Sequence, residues 1–254
     1  MAIRSDDAEM ISKRWPGQKF LFKRNSAARI ILYMKIKPPV IQIALDYPTI
    51  EEAVAMAKIG IQAGVDWLEV GTPLIVAQGA ATIGQLKRAY PDYPVLADYK
   101  TMDSGGKNNL LTQKQGGQVM TICGNAPDET VKAGVAAAKE SGVWVVVDLI
   151  GVKNVGARAK QCADWGVDML YLHYGADQRR ADATKDSVQW LDEVQAAVKI
   201  PIGVGTFGVE DAVRAVAKGA ELVAIGHPVI SGSNPLGDLT DYCKKVRAAY
   251  RPRK

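Results

Sequence analysis

The stretch Gly64-Val65-Asp66-Trp67-Leu68 recurs in two similar forms, Gly166-Val167-Asp168-Met169-Leu170 and Gly219-Ala220-Glu221-Leu222-Val223. Each copy places a glycine, a small apolar residue and an acid at the start of an apolar run. A glycine in this position is typical of the left-handed turn that ends a helix. The repeat therefore predicts helix-to-strand units with an acid at the entry of each strand.

From Val40 onward, short apolar runs alternate with longer amphipathic stretches at a period of about 25 residues. The runs predicted as strands are 40–45, 66–70, 95–97, 118–122, 143–147, 168–172, 201–204 and 221–225. The predicted helices are 49–63, 78–90, 106–115, 127–141, 154–165, 185–198, 209–218 and 235–250. Thr49 with Glu52 fits a capping box, and Asp128 is predicted as an N-cap.

Eight such units, with no other insertion large enough for a domain, predict a single-domain α/β protein, a (β/α)8 TIM barrel over residues 34–254. The alternative is a doubly wound sheet, which usually has a glycine-rich phosphate loop after its first strand. That position reads Asp46-Tyr47-Pro48. The sequence therefore favours the barrel.

The first 33 residues differ from the rest in charge. They carry seven Lys or Arg and three acids, a net charge of +4, which leaves +1 for residues 34–254. They lack the apolar core of a secretory signal. Residues 1–33 are therefore predicted to be a disordered extension, or an upstream reading of a gene that starts at Met34.

Composition narrows the class of protein. No apolar run approaches the roughly 18 residues that span a bilayer, which predicts a soluble protein without membrane partners. The net charge of +1 over residues 34–254 argues against a nucleic-acid partner. Cys123, Cys162 and Cys243 lack any CxxC spacing, which predicts buried or half-buried thiols rather than disulfides or a zinc site, and a reducing, cytoplasmic setting.

Chemically active residues cluster where the predicted strands end. Because barrel enzymes carry their reacting groups at the C-terminal ends of strands, these residues are predicted to share one rim. They are Asp46, Glu69, Asp98, Lys100, Asp103, Asp148, His173, Gly205, Thr206, Gly226 and His227. Any one acid could instead be a turn residue, and Asp148 fits that interpretation best.

Glu69 and Asp98 follow neighbouring strands and could share one Mg²⁺, which prefers one or two carboxylates. Lys100 faces the same side of its strand as Asp98, where it could stabilise an oxyanion or form a structural ion pair. His173 is favoured over His227 for proton transfer near neutrality. The glycine-rich ends of strands seven and eight match the usual phosphate site of a barrel.

Several runs resemble one known family. They are Ala44-Leu45-Asp46, Glu69-Val70-Gly71-Thr72-Pro73, the segment 97–105 that contains Asp98-Tyr99-Lys100-Thr101-Met102-Asp103, the segment 147–154, and His173-Tyr174-Gly175-Ala176-Asp177-Gln178. They look like 3-hexulose-6-phosphate synthase, of the orotidine-5'-phosphate decarboxylase superfamily of (β/α)8 barrels, whose signature on strand three is DxKxxD. The match covers nearly all of the chain from Val40 to the last helix.

The resemblance implies a Mg²⁺-dependent lyase that joins formaldehyde to D-ribulose 5-phosphate through an enediolate, or runs the reverse cleavage. It implies that Glu69 and Asp98 bind the metal, that Lys100 steadies the enediolate and that His173 moves the proton. Asp46 would hold sugar hydroxyls, and Gly205, Thr206, Gly226 and His227 would lie at the phosphate end. Asp103 would reach the partner subunit's site, which implies a homodimer.

Two alternatives stay open. The related 3-keto-L-gulonate-6-phosphate decarboxylase makes a similar enediolate by losing CO₂, but it resembles this chain less, since it has an arginine where this chain has Ala176. The other alternative is a non-catalytic barrel that binds a sugar phosphate or a partner protein. Such a module would need no set like Glu69, Asp98, Lys100 and His173.

Overall fold

A computed structural model describes residues 37–253 of the chain. In this part eight parallel strands close into a barrel in chain order, and the last strand pairs with the first. They are β1 (Val40–Leu45), β2 (Trp67–Val70), β3 (Val95–Thr101), β4 (Val119–Cys123), β5 (Trp144–Asp148), β6 (Met169–Leu172), β7 (Ile202–Thr206) and β8 (Leu222–Ile225). The predicted (β/α)8 barrel is confirmed, whereas the prediction for residues 1–33 lies outside the described residues.

All eight predicted helices are present with shifted ends, and two short ones, α2 and α7, were not predicted. Over residues 37–253 the α-helices are α1 (Ile50–Ala63), α2 (Thr72–Gln78), α3 (Ala81–Ala89), α4 (Gly105–Gln115), α5 (Asp128–Ser141), α6 (Val155–Trp165), α7 (Ala176–Ala181), α8 (Leu191–Ala197), α9 (Val209–Ala217) and α10 (Pro235–Ala249). The predicted helix 78–90 starts later because Gly79, at φ 77°, ends α2. The predicted helix 185–198 begins with a 3-10 turn, Ser187–Trp190.

The predicted caps had different outcomes. Thr49 caps α1 by accepting from the Glu52 amide, which is the first half of the predicted capping box. The Glu52 carboxylate accepts from the Thr49 hydroxyl at 2.6 Å, whereas the second half of a capping box would use the Thr49 backbone amide. The prediction that Asp128 is an N-cap is wrong. Pro127 holds that position, and the Asp128 carboxylate instead pairs with Arg158 at 2.6 Å.

The repeated acids have a common structural role. Asp66, Asp168 and Glu221 each accept a hydrogen bond from one of the first two backbone amides of the preceding strand, at 2.8, 2.8 and 2.9 Å. Gln118 does the same for Val95 at 2.8 Å, a fourth copy that the sequence pattern did not reveal. The entry of every even-numbered strand therefore satisfies an amide of the odd-numbered strand before it.

Alternation along the strands separates an apolar layer from a polar interior. Ile41, Ile43 and Leu45 of β1 are fully buried in the apolar layer beneath the helices. Gln42, between them, points into the barrel and donates to Glu69 of β2. The centre of the barrel is thus polar toward its C-terminal end, where the buried carboxylates collect.

Two further observations bear on composition. No helix within residues 37–253 is long and apolar enough to cross a membrane. Cys123, Cys162 and Cys243 are all buried free thiols, as the sequence predicts.

The entry acids provide a test of stability. Asp168→Ala should lower the free energy of unfolding by about 1–3 kcal/mol, because the Val145 amide loses its acceptor in a half-buried position. Asp164→Ala removes an exposed carboxylate paired with Lys160 and should cost less than about 0.5 kcal/mol. Urea denaturation of both variants measures the difference, and equal losses would contradict the assigned role.

Candidate active site

The predicted rim group lies at the mouth of the barrel. Strand β3 runs to Thr101, four residues further than predicted, so Asp98 and Lys100 belong to the strand itself. Its pairing with β4 shifts register between Ala97 and Thr101, and Lys100 has a φ of 44°. Such a backbone conformation is rare for a side chain of this size. It places the Lys100 ammonium directly against the Asp98 carboxylate.

Lys100 is the cation at the centre of the group. Its ammonium contacts Asp98 Oδ2, lies 3.7 Å from Asp148 Oδ2 and 3.2 Å from Thr72 Oγ1. Burial alone would lower the pKa of Lys100, but the charges of Asp98, Asp148 and Glu69 raise it above its usual value. The ammonium therefore keeps its proton at neutral pH.

Asp98 is buried, and both of its carboxylate oxygens accept hydrogen bonds. It accepts from Thr72 Oγ1 at 2.7 Å and from Thr121 Oγ1 at 2.8 Å, in addition to Lys100. Burial would raise the pKa of Asp98, yet Lys100 and the two hydroxyls lower it below its usual value. This carboxylate is therefore an anion held in one orientation.

Glu69 has the opposite environment. It lies 7% exposed inside the barrel, and burial, followed by the charges of Asp98 and Asp46, raises its pKa well above the usual value. Gln42 Nε2 donates to one of its oxygens, whereas Gln42 Oε1 is a buried atom without a hydrogen-bond partner among the described residues. This corner of the site therefore has acceptors in excess of donors.

Asp46 completes the acidic side. Burial and the charge of Asp98 raise its pKa, and Lys100 and His227 act in the opposite sense. A methyl group on Gly71 would come within 2.0 Å of Asp46 Oδ1, so only glycine permits this approach. The predicted motif at 69–73 thus has two local functions: Gly71 leaves space for Asp46, and Thr72 holds Asp98.

The excess of carboxylates fits a divalent cation. Asp46, Glu69 and Asp98 repel one another, and a cation between Glu69 and Asp98 would relieve the unfavourable charge on Glu69. No group of three or more His, Cys, Asp or Glu with metal-binding geometry occurs in residues 37–253. Mg²⁺ is commonly bound through one or two carboxylates with water and substrate oxygens in its other positions, so a two-carboxylate site agrees with its chemistry.

His173 and Asp148 form the second functional pair. His173 Nδ1 lies 2.8 Å from Asp148 Oδ2, and Asp148 is 1% exposed. The other oxygen of Asp148 accepts from the Ile150 amide at 3.0 Å. The interpretation of Asp148 as only a turn residue is therefore incomplete, because the same carboxylate also orients His173. An ionised Asp148 puts the imidazole proton on Nδ1 and leaves Nε2 as an acceptor.

The opposite rim, after β7 and β8, is less polar than predicted. The Thr206 side chain points away from the mouth, where its hydroxyl donates to the Ala224 carbonyl at 2.8 Å and lies 2.8 Å from the Tyr242 hydroxyl. Its side chain is therefore not available to a ligand at the mouth. His227 is exposed, hydrogen-bonded to Ser231 and 5.8 Å from the ring of Tyr47.

Two backbone amides of the loop after β7 already donate hydrogen bonds within the protein. Phe207 N and Gly208 N donate to the Asp211 carboxylate at 2.8 and 3.0 Å, which caps α9. Gly205 and Gly226 lie at the ends of their strands as predicted. On this side a ligand would meet Gly205, Gly226 and His227.

Asp103 lies apart from the other acids, in the exposed loop before α4. Its carboxylate accepts from the Ser104 amide at 2.6 Å and lines a shallow cleft between α4 and α5. Met102, beside it, is 51% exposed. Among the described residues Asp103 contacts neither Asp98 nor Lys100 through its side chain.

Comparison with known proteins identifies the family. The family described as orotidine 5'-phosphate decarboxylase / HUMPS matches residues 39–242. The chain belongs to this family. It is 33% identical over 211 residues to 3-hexulose-6-phosphate synthase of Mycobacterium gastri, covering 82% of this chain and 98% of that protein. A 34% match to the Bacillus subtilis protein of the same name covers 63% of this chain and 74% of that protein.

Solved structures agree with this assignment. The 3-hexulose-6-phosphate synthase of Salmonella typhimurium is 29% identical with a TM-score of 0.78, over 83% of this chain and all of that one. The 3-keto-L-gulonate-6-phosphate decarboxylase of Vibrio cholerae, at 23% identity and a TM-score of 0.73 over 85% of this chain and all of that one, shares the fold. The predicted family and the predicted enzyme class, a lyase of the 3-hexulose-6-phosphate synthase type, are confirmed.

Sequence reasoning missed two interior residues, Gln42 and Tyr171. Both lie on strands at inward positions, two residues before Ala44 and His173 respectively. The period of two was the available signal, because it assigns every second strand residue to the interior. Neither residue stands at a strand exit, where the reacting groups of a barrel are expected.

The acidic corner gives a pH prediction. The folded state holds a proton on Glu69 above the pH at which the unfolded chain releases it, so stability is greatest below the unfolded pKa and falls as pH rises through the folded one. Without divalent cations, Glu69→Gln should therefore be more stable than the native chain at about pH 8, by roughly 1 kcal/mol or more, and equal to it near about pH 4.

Urea titrations across this pH range measure the effect. Glu51→Gln, an exposed acid in the first turn of α1, provides the matched control and should track the native protein at every pH. A native stability that does not fall relative to Glu69→Gln as pH rises would show that Glu69 carries no unfavourable charge.

Proposed function

We propose that this enzyme condenses formaldehyde with D-ribulose 5-phosphate to D-arabino-hex-3-ulose 6-phosphate, or catalyses the reverse cleavage, through an enediolate. One observation carries the proposal: a single buried carboxylate, Asp148, lies 2.8 Å from His173 Nδ1 and 3.7 Å from Lys100 Nζ. A group suited to proton transfer and a permanent cation therefore face one space. The names of the relatives support the same reaction.

In the proposed reaction His173 Nε2 takes a proton from the first carbon of the sugar, and the electron pair moves onto the neighbouring carbonyl oxygen. Lys100, whose ammonium stays charged, stabilises the negative charge that develops on that oxygen. The carbon then attacks formaldehyde, a carbon–carbon bond forms, and His173 returns the proton to the new alkoxide. Asp148 holds the imidazole in the tautomer that these proton transfers require.

Glu69 and Asp98 would hold Mg²⁺, the divalent cation that their excess charge fits. When bound, Mg²⁺ would supply a Lewis acid at the sugar oxygens. Asp98 is prepared for this role because Thr72 and Thr121 fix both of its oxygens. Asp46, across from Lys100, would accept hydrogen bonds from sugar hydroxyls.

At the other end of the sugar the phosphate would approach Gly205, Gly226 and His227. A protonated imidazole could bind the anion, and Thr206 would contribute through its backbone only. Asp103, which is exposed and separate from the other acids, is proposed to act at the partner subunit's site in a homodimer. The free thiols agree with a cytoplasmic setting, which is also part of the proposal.

The second candidate is 3-keto-L-gulonate-6-phosphate decarboxylase activity. Solved proteins of that name share the fold, and an enediolate formed by loss of CO₂ would use the same Lys100. Ala176 distinguishes the two readings, since the resemblance to the decarboxylase would place an arginine there. The synthase reaction is therefore the primary proposal.

The reaction is tested with D-ribulose 5-phosphate and formaldehyde. The native enzyme should consume formaldehyde with Mg²⁺, lose the activity in a chelator and regain it when Mg²⁺ is restored. The proposed reaction depends on the Lewis acid that Glu69 and Asp98 would hold. Formaldehyde loss is followed colorimetrically. No metal-dependent consumption would refute the synthase proposal, and CO₂ release from 3-keto-L-gulonate 6-phosphate would support the second candidate.

The role of Asp148 has its own test. Asp148→Asn keeps the side-chain shape but no longer fixes the His173 proton on Nδ1, so kcat should fall by about 10²–10⁴-fold while the variant stays folded. Asp168→Asn makes the same chemical change at the entry end of β6 and should keep native kcat. A kcat for Asp148→Asn within threefold of native would remove Asp148 from the mechanism.

A further inference from the structure

Tyr171 lies in the barrel interior, between the acidic side of the mouth around Lys100 and the opposite side at the ends of β7 and β8. It precedes His173 by two residues on β6, so both side chains point inward. Its ring lies over Gly203 of β7, where an added methyl group would be 2.9 Å from the ring carbon Cδ2. Its hydroxyl lies 2.9 Å from the position that a methyl group on Gly205 would take. The two glycines leave the space that this phenol fills.

Within residues 37–253 the hydroxyl of Tyr171 has no hydrogen-bond partner, in contrast to the phenols of Tyr90 and Tyr242. Tyr90 donates to the Val54 carbonyl at 2.8 Å, and Tyr242 lies 2.8 Å from the Thr206 hydroxyl. Tyrosine hydroxyls in enclosed positions usually find a partner. The Tyr171 side chain is half-buried, and its hydroxyl is accessible to a molecule bound at the mouth.

The surroundings of Tyr171 make it a hydrogen-bond donor. Burial, followed by the charges of Glu69, Asp148 and Asp98, raises the pKa of the phenol well above its usual value. The hydroxyl therefore stays protonated. The ring also stands edge-on to His173, with ring centroids 5.5 Å apart and planes at 75°, which limits movement of both rings.

The position of this donor defines which part of a ligand it can reach. Lys100 and Asp98 lie on β3, and Gly205 lies on β7, the opposite strand of the eight-stranded barrel. A sugar phosphate with its reacting carbon near Lys100 and His173 and its phosphate near Gly205 spans this distance. In that orientation the oxygens between the two ends would lie near the Tyr171 hydroxyl, which is 2.9 Å from the position of a methyl group on Gly205.

We propose that Tyr171 is a specificity-determining residue that donates a hydrogen bond to an oxygen of the bound sugar phosphate between its reacting carbon and its phosphate. This inference rests on the proposed function for the orientation of the ligand. Gly203 and Gly205 serve it by leaving space for the phenol. The residue selects the configuration of the sugar and takes no part in proton transfer.

The test compares Tyr171→Phe with the native enzyme in binding D-ribulose 5-phosphate and D-xylulose 5-phosphate, which differs only in configuration at the third carbon. Tyr171→Phe keeps the ring and its packing. Tyr90→Phe is the matched control, because it removes a phenol hydroxyl that bonds a backbone carbonyl between α3 and α1. Calorimetry with Mg²⁺ gives each Kd without turnover, and formaldehyde consumption gives kcat and KM.

Tyr171→Phe should raise the Kd for D-ribulose 5-phosphate by about tenfold, and lower the preference over D-xylulose 5-phosphate by a similar factor, with kcat within about threefold of native. Tyr90→Phe should leave both Kd values unchanged. A native-like Kd and preference in Tyr171→Phe would show that the phenol only fills space, which overturns the inference.

Failure of the proposed function has a different signature. A native enzyme that binds D-ribulose 5-phosphate without consuming formaldehyde would refute the synthase reaction, while the Kd ratio of native to Tyr171→Phe would still decide the role of Tyr171. A native enzyme that binds neither sugar phosphate would overturn both proposals.

Discussion

The charge balance around the Lys100 ammonium is the constraint on which the rest of the site depends. Three carboxylates, those of Asp98, Asp148 and Glu69, face this one cation inside a barrel that excludes most water. Its direct contact with Asp98 keeps that carboxylate ionised, while the more distant Glu69 is left with a raised pKa. Removing one partner from a buried ion pair is costly because the other charge stays uncompensated. The backbone at Lys100 accordingly accepts a rare conformation to bring the ammonium into place.

The two ends of the barrel use acids in opposite ways. At the entry end, Asp66, Asp168 and Glu221 each accept a hydrogen bond from a backbone amide of a neighbouring strand. Asp66 and Glu221 also form ion pairs with arginines. At the exit end, the charges of neighbouring carboxylates add to burial in raising the pKa of Glu69 and of Asp46. The first arrangement stabilises the fold, and the second leaves charge that a cation or substrate can satisfy. Stability and chemistry are thereby separated along the same strands.

Much of this organisation could be predicted from the sequence. The alternation of short apolar runs with amphipathic stretches located the strands, and the residues at the strand ends, from Asp46 to His173, do gather at one mouth. Contacts across the barrel could not be predicted, because periodicity gives the face of a residue but not its neighbour on another strand. Asp148 illustrates the limit: its turn contact with Ile150 is local and readable, whereas its contacts with His173 and Lys100 are not. The prediction that the Thr206 side chain lies at the phosphate end is wrong for a related reason, because the last residue of β7 faces outward.

The glycines of β7 show how one sequence feature can have two physical explanations. Gly203 and Gly205 suggested a close approach of phosphate, yet each also provides the space for Tyr171. The nearby amides of Phe207 and Gly208 already donate to Asp211, so this rim offers an anion fewer donors than a typical barrel phosphate site. In the proposed function, recognition on this side depends on the exposed imidazole of His227 for charge and on the phenol of Tyr171 for configuration. A small residue at position 171 would leave the barrel beside His173 open to water, and the ring excludes that water as well as carrying the donor.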